Sequence, residues 1–273
     1  MKLKLEINES FCKLTGKPER SEREIKRARI SFIVKSKFRK TTKRRFLGYL
    51  WLVIDPFIIS MIYLFVFSVV KSNPNAASIL VGVTMYRVFQ ASLIKGMGCI
   101  KDLNGGFKAE RISTKVVISA EICHRMIDIF LQTILIAAIL VLGFDMNIIA
   151  GIIFVLMAQI MGFLFFGFGV VISPIVNQIP DLQNVISYVL RLGFYVSPAM
   201  YPMARMEGVH YKVNEYNPFA YFAELARYLS DIDSTFMDLN LFTFGVIVSL
   251  LSLMTYIGLM RIDNLRWRMT TWS

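Results

Sequence analysis

A chain of 273 residues that is 55% hydrophobic, with its apolar residues gathered into long runs, falls outside the ordinary soluble domains and reads as an integral membrane protein. Its net charge of +12 abuts those runs, which favours anionic headgroups over nucleic acid as the partner of the basic residues. The cysteines Cys12, Cys99 and Cys123 lack CxxC spacing and the two histidines, His124 and His210, lie far apart, so neither a metal site nor a disulfide framework is indicated.

The first fifty residues carry sixteen Lys/Arg and five Glu and contain no apolar core of a secretion signal. Residues 1–50 therefore read as a cytoplasmic basic segment. Within it, 21–45 mixes charges with Ile25, Ala28, Ile30, Phe32, Ile33, Val34 and Phe38, the pattern of an amphipathic helix lying along the membrane face. The cluster Lys43, Arg44 and Arg45, followed by Tyr49 and Trp51, leads straight into a 19-residue apolar run, 52–70. As a helix, that run is about 29 Å long, enough for a bilayer core.

Five further apolar segments follow, at 79–97, 116–142, 148–173, 185–200 and 241–260. The expected fold is all-α and polytopic, with six transmembrane helices in a domain of residues 51–273. Lysine and arginine concentrate before Trp51, in 101–117 and after Met260, which places both termini in the cytoplasm.

Two connections are long. The cytoplasmic one, 101–115, contains Gly105-Gly106 and a mixed-charge stretch suited to a short surface helix. The external one, 201–238, is acidic and follows the proline pair Pro198 and Pro202, where a regular helix must end. Asn217-Pro218 then predicts a helix start, with Asn as the cap and Pro at the first position. Its aromatic residues suit a helix dipping into the outer interface.

No Walker A loop, nucleophile elbow, metalloprotease motif or paired-carboxylate site is present, so no catalytic residue and no bound cofactor is expected. Charges inside spans are the default functional candidates. Glu121, Arg125 and Asp128 share a helix face and suit an internal ladder of ion pairs. Arg191 and Arg87 lack such local partners and suit contact with an anionic substrate; pairing with Asp55 or with backbone carbonyls is the competing role. Phe57, Tyr63 and Tyr195 lie within spans and could line a conduit. Trp51 and Tyr201 mark the opposite membrane boundaries, Tyr201 at the mouth of the path.

These residues resemble the membrane subunit of ABC-2 type exporters of polysaccharides, a family that includes capsule, O-antigen and teichoic acid transporters. The resemblance rests on Arg44-Arg45-Phe46-Leu47-Gly48-Tyr49-Leu50-Trp51 with Asp55-Pro56. It also rests on Pro180-Asp181-Leu182-Gln183 leading to Phe194-Tyr195-Val196-Ser197-Pro198-Ala199-Met200-Tyr201-Pro202, and on Asn217-Pro218 with Glu224-Leu225-Ala226-Arg227. It implies a homodimer in the bacterial inner membrane, paired with two copies of an ATPase subunit that holds ATP and Mg. The cargo would be a polysaccharide, capsular in the nearest branch and possibly lipid-linked, passed on to periplasmic or outer-membrane export partners. By resemblance, Asp102, Asn104, Lys108, Glu110, Arg111 and Lys115 fall in the coupling helix that docks on the ATPase. The region 197–227 would form re-entrant segments at the outer mouth. A drug or lipid exporter of the same type and a membrane-bound glycan-processing enzyme are the alternatives.

Overall fold

The structure, a computed structural model, describes residues 4–8, 11–15, 21–43, 50–51, 54, 57–59, 61–62, 65, 75–100, 114–230 and 241–269. It opens on an antiparallel hairpin of β1 (Lys4–Asn8) and β2 (Phe11–Thr15), with Leu5 opposite Leu14 and Ile7 opposite Cys12. This small hairpin adds to an otherwise all-helical chain and follows from the strict alternation of polar and apolar residues in Lys4-Leu5-Glu6-Ile7-Asn8.

Helix α1 (Glu22–Lys43) starts at a capping box: the Ser21 amide donates to Glu24 Oε2 at 3.1 Å and the Glu24 amide to Ser21 Oγ at 3.3 Å. Helix α2 (Ala76–Met97) is capped by Asn75, whose side chain accepts from the Ser78 amide at 3.1 Å. Helix α3 (Thr114–Gly143) turns into α4 (Ile148–Gln178) through Asp145, which adopts the left-handed backbone conformation, and Asn147, which caps α4. Helix α5 (Pro180–Val196) follows, then α6 (Gly208–Glu215), α7 (Pro218–Leu229) and α8 (Leu241–Met269).

Four stretches among the described residues are long and apolar enough to cross a membrane: Ala76–Met97, Thr114–Gly143, Ile148–Gln178 and Phe242–Arg261. The predicted first span, 52–70, lies mostly outside the described residues.

The long helices α2, α4 and α8 run one way and α3 the other. A Cβ built on Gly96 of α2 would lie 2.2 Å from the Phe166 carbonyl oxygen and 2.9 Å from Gly169 Cα, so α2 and α4 meet backbone to backbone and run parallel. Helix α3 runs against them, with Ala137 and Val141 beside Gly151 and Ile129 packed on Gly162. Helix α8 parallels α4, with the Thr255 hydroxyl donating to the Leu164 carbonyl at 3.2 Å. Ionised side chains reappear together at the Met97 end of the bundle, with Lys95 on α2, Glu121 on α3 and Arg261 on α8 near the level of Gly169.

Helix α1 packs its apolar stripe on protein. Ile33 and Val34 are buried among Val116, Val117 and Ala120 of α3, and Lys37 pairs with Glu121. On the opposite face, Phe32 is exposed.

The predicted fifth span requires correction. Its 17 residues, Pro180–Val196, replace the expected 185–200 and amount to about 26 Å. The helix also stops partway through the bundle. Leu190 and Phe194, near its end, meet Tyr86, which lies ten residues into α2 and so about 15 Å from the Ala76 end. Helix α7 starts at that same depth, with Phe219 against Tyr86 and Phe89, and rises until Arg227 reaches Ser78. Two helices in series thus cover what one span was expected to cover.

Candidate functional site

Helix α5 has three faces. Leu190 and Phe194 are buried against α2, where the Tyr86 hydroxyl donates to the Leu190 carbonyl and the Tyr86 ring meets Phe194 edge-on at 5.1 Å. On the exposed side, Asp181, Asn184, Tyr188, Arg191 and Tyr195 recur at i, i+3, i+7, i+10 and i+14, which makes one stripe of polar and aromatic residues. Beside it, Val185, Val189, Leu192 and Val196 form a second, apolar stripe that is also exposed.

The guanidinium of Arg191 sits 5.3 Å from the centroid of the Tyr188 ring. Such a cation–π contact is worth about 0.5–1 kcal/mol at an exposed site and holds the charge in one orientation. Arg191 follows Leu190, so it lies near mid-depth. A charge there costs about 2.5–3.5 kcal/mol against lipid, which favours a stripe facing water or protein. Tyr188 and Tyr195 are 63% and 56% exposed, so both rings present open faces.

Above the end of α5 the chain folds back on itself. The Val196 carbonyl, left open where the helix stops, accepts from His210 Nε2 at 2.6 Å and from Asn214 Nδ2 at 2.7 Å, both on α6. The Tyr201 hydroxyl donates to the Tyr195 carbonyl at 3.2 Å. The half-buried Tyr201 is therefore joined to the exposed stripe through the backbone of α5.

Helix α7 holds this region to the bundle through a buried ion pair. Arg227, 1% exposed, donates from Nη1 to Glu224 Oε1 at 2.7 Å, from Nε to the Ser78 carbonyl at 3.3 Å and from Nη2 to the Ala199 carbonyl at 3.1 Å. The same Glu224 oxygen accepts from the Met203 amide at 3.2 Å. Gly82 makes room for the clamp: a Cβ there would lie 2.0 Å from the Ala199 oxygen and 2.1 Å from Arg227 Nη2.

The Asn217-Pro218 start of α7 stands as read from sequence, with Asn217 Oδ1 accepting from the Phe219 amide at 3.1 Å and Pro218 in the first turn. The interfacial role of its aromatics does not. Phe219, Tyr221 and Phe222 are buried in the protein, because α7 packs on α2 and α4 rather than floating in the outer boundary.

The ladder on α3 is likewise redrawn. Glu121 pairs with Lys37 of α1, His124 Nδ1 lies 3.3 Å from Asp128, and Arg125 donates to Ser92 Oγ at 3.0 Å and to the Val88 carbonyl at 3.1 Å. The face that carries these charges packs on other helices, so Glu121 and Arg125 find their partners there. Their role is to tie α1, α2 and α3 together.

Of the other sequence candidates, Arg87 is half-buried on α2, Phe57 is half-buried and Trp51 is exposed. Tyr63, Arg44, Arg45 and Tyr49 lie outside the described residues, as do Asp102, Asn104, Lys108, Glu110 and Arg111. Lys115 is exposed in the first turn of α3. Tyr188 was not singled out from sequence, although its place one turn before Arg191 was the available signal. The clamp residues Glu224 and Arg227 lay within a recognised motif, but their burial against Ser78 and Gly82 depends on contacts across some 150 residues of chain.

Over residues 28–230 the chain matches the family described as ABC-2 type transporter. No curated protein matches it significantly.

Proposed function

Because the chain belongs to the ABC-2 type transporter family, we propose that this membrane permease subunit of an ABC exporter carries polysaccharide, capsular polysaccharide foremost, along the exposed stripe of α5. The observation that carries the reading is the placement of tyrosine. Seven of the 11 tyrosines fall within residues 188–228, and Tyr188, Tyr195, Tyr216 and Tyr228 are exposed. A tyrosine offers an apolar ring for a sugar face and a hydroxyl for its alcohols. Such side chains suit a hydrated glycan better than a drug or lipid, which calls for an unbroken apolar wall.

The remaining roles follow from that path. Arg191, steadied by Tyr188, would meet acidic groups of the passing chain, with Arg87, Phe57 and Tyr63 further along the conduit. A second copy would pack on the stripe of Val185, Val189, Leu192 and Val196, so that two α5 faces enclose one lumen. The Met97 end of the bundle is the cytoplasmic end, where the segment 102–115 would couple to an ATPase subunit that binds ATP and Mg. Permeases of this family are generally not catalytic themselves; here, each turnover would be driven by that partner.

The test is export from cells that carry the ATPase partner. A Tyr188→Ala/Arg191→Ala/Tyr195→Ala variant at normal membrane abundance should lower surface polysaccharide at least tenfold, about 1.4 kcal/mol or more in the rate-limiting step. Wild-type export by that variant would refute the path.

A further inference from the structure

Tyr86 is 2% exposed, and its ring meets Phe89, Phe194 and Phe219 with centroids 5.4, 5.1 and 4.9 Å away, so it is held from three sides. A buried phenol must spend its hydrogen on an acceptor. The acceptor here is the carbonyl of Leu190, the residue immediately before Arg191. Because the bond reaches backbone, it holds the helix itself rather than a side chain that could turn. Gly193, three residues beyond Leu190, leaves room for the approach: a Cβ there would lie 3.0 Å from the Tyr86 oxygen.

The other contacts of α5 are of a different kind. Leu182, Ile186 and Leu190 pack with Leu93, Met97 and Val176, and apolar contacts hold two surfaces together without a preferred direction. The bonds from His210 and Asn214 to Val196, and from Tyr201 to Tyr195, come from the connection that continues α5. The Tyr86 hydroxyl is directional and comes from α2, whose backbone is locked to α4 at Gly96 and Gly169. It therefore sets the height and rotation of α5 relative to that pair.

Arg191 is the one cation among the 17 residues of α5, and it stands on the exposed side with Tyr188 and Tyr195. We propose that Tyr86 is a positioning residue for Arg191 and thereby sets a preference for acidic over neutral glycan; this rests on the reading of α5 as the glycan path. Tyrosine rings receive the apolar faces of sugars whatever their charge. The guanidinium serves anionic groups alone, and its charge-assisted bonds need donor and acceptor within about 3 Å. At a reach of about 6 Å from the helix axis, a rotation of α5 by about 20° moves it by about 2 Å, enough to break such a bond.

Binding to the purified complex of this chain with its ATPase subunit provides the test, with two fluorescent probes of equal length. One is an oligogalacturonate, which carries a carboxylate on every sugar, and the other a neutral malto-oligosaccharide. Wild type should favour the acidic probe at least about fivefold, and Arg191→Ala should abolish that preference. Tyr86→Phe, which keeps the ring contacts, should weaken the acidic probe about fivefold and leave the neutral one within about twofold. Gly193→Ala, which crowds the hydroxyl while leaving Tyr86 in place, should shift the ratio in the same direction. Since Tyr86 acts through Arg191, Tyr86→Phe/Arg191→Ala should bind the acidic probe no more weakly than Arg191→Ala alone. A purely structural loss would instead lower both probes together. An unchanged ratio in Tyr86→Phe, equal weakening of both probes, or additive losses in the double variant overturns the positioning role and leaves the path standing. Equal binding of the two probes by wild type, or a preference retained by Arg191→Ala, overturns both.

Discussion

Replacing Arg227 by methionine should strip the outer half of the bundle of its main polar fastening. The guanidinium is buried and donates to the Glu224 carboxylate and to the Ser78 and Ala199 carbonyls. Its loss leaves the Glu224 carboxylate buried without its guanidinium, still accepting from the Met203 amide. Breaking a buried ion pair from one side costs about 3–5 kcal/mol, mostly from the charge left behind. Removing that charge as well reverses most of the penalty, since an apolar pair of similar volume is often neutral.

The expected order of stability is therefore wild type, then Arg227→Met/Glu224→Leu, then Arg227→Met alone. Unfolding of purified protein in mixed micelles by titrated SDS provides the measurement, with the double variant recovering at least about 2 kcal/mol of the single variant's loss. A single variant within about 1 kcal/mol of wild type, or a double variant no better than the single, refutes the clamp.

Gly96→Ala should destabilise α2 against α4 by about 1–3 kcal/mol in the same titration, because the new methyl meets backbone at 2.2 Å and 2.9 Å rather than a side chain that could move. Tyr86→Phe removes the hydrogen bond to the Leu190 carbonyl while leaving the ring contacts, so a loss of about 1 kcal/mol is expected, with increased protease cleavage within α5. Lys37→Glu should loosen α1 from α3 and lower export, and Lys37→Glu/Glu121→Lys should restore much of it; absence of rescue in the swapped pair would show that the contact is not specific.

The long apolar runs were legible because hydropathy and length alone identify a crossing: the helices over 79–97, 116–142 and 148–173 begin within three residues of the predicted starts. Asn217-Pro218 was legible because capping is local chemistry. The midpoint stop of α5 was not. Pro198 and Pro202 announce that a helix ends, but an irregular backbone is tolerated at membrane depth wherever protein or water satisfies it, so the break did not reveal its depth. Partners supplied by other helices were also hidden. Glu121 and Arg125 look self-sufficient on a helical wheel, and only the packing of α1 and α2 on α3 redirects them. The aromatic face of α7 reads the same whether its neighbour is an interface or α2.

The glycine seam between Gly96 and Gly169 settles what in this molecule can serve as a stator. Two helices whose backbones touch have no flexible side chains between them to absorb a rotation, so α2 and α4 must travel as one rigid strut, with α8 held to it by Thr255. Helix α5 is fitted differently, resting on the strut through the edges of Tyr86 and Phe194, the Tyr86 hydrogen bond and the aliphatic side chains of Leu182, Ile186 and Leu190 packed with Leu93, Met97 and Val176. Edges slide where backbones lock. Mechanical work delivered to this protein is therefore expected to appear as travel of α5 along a fixed rail, with the rings of Tyr86 and Phe194 as the bearing surface.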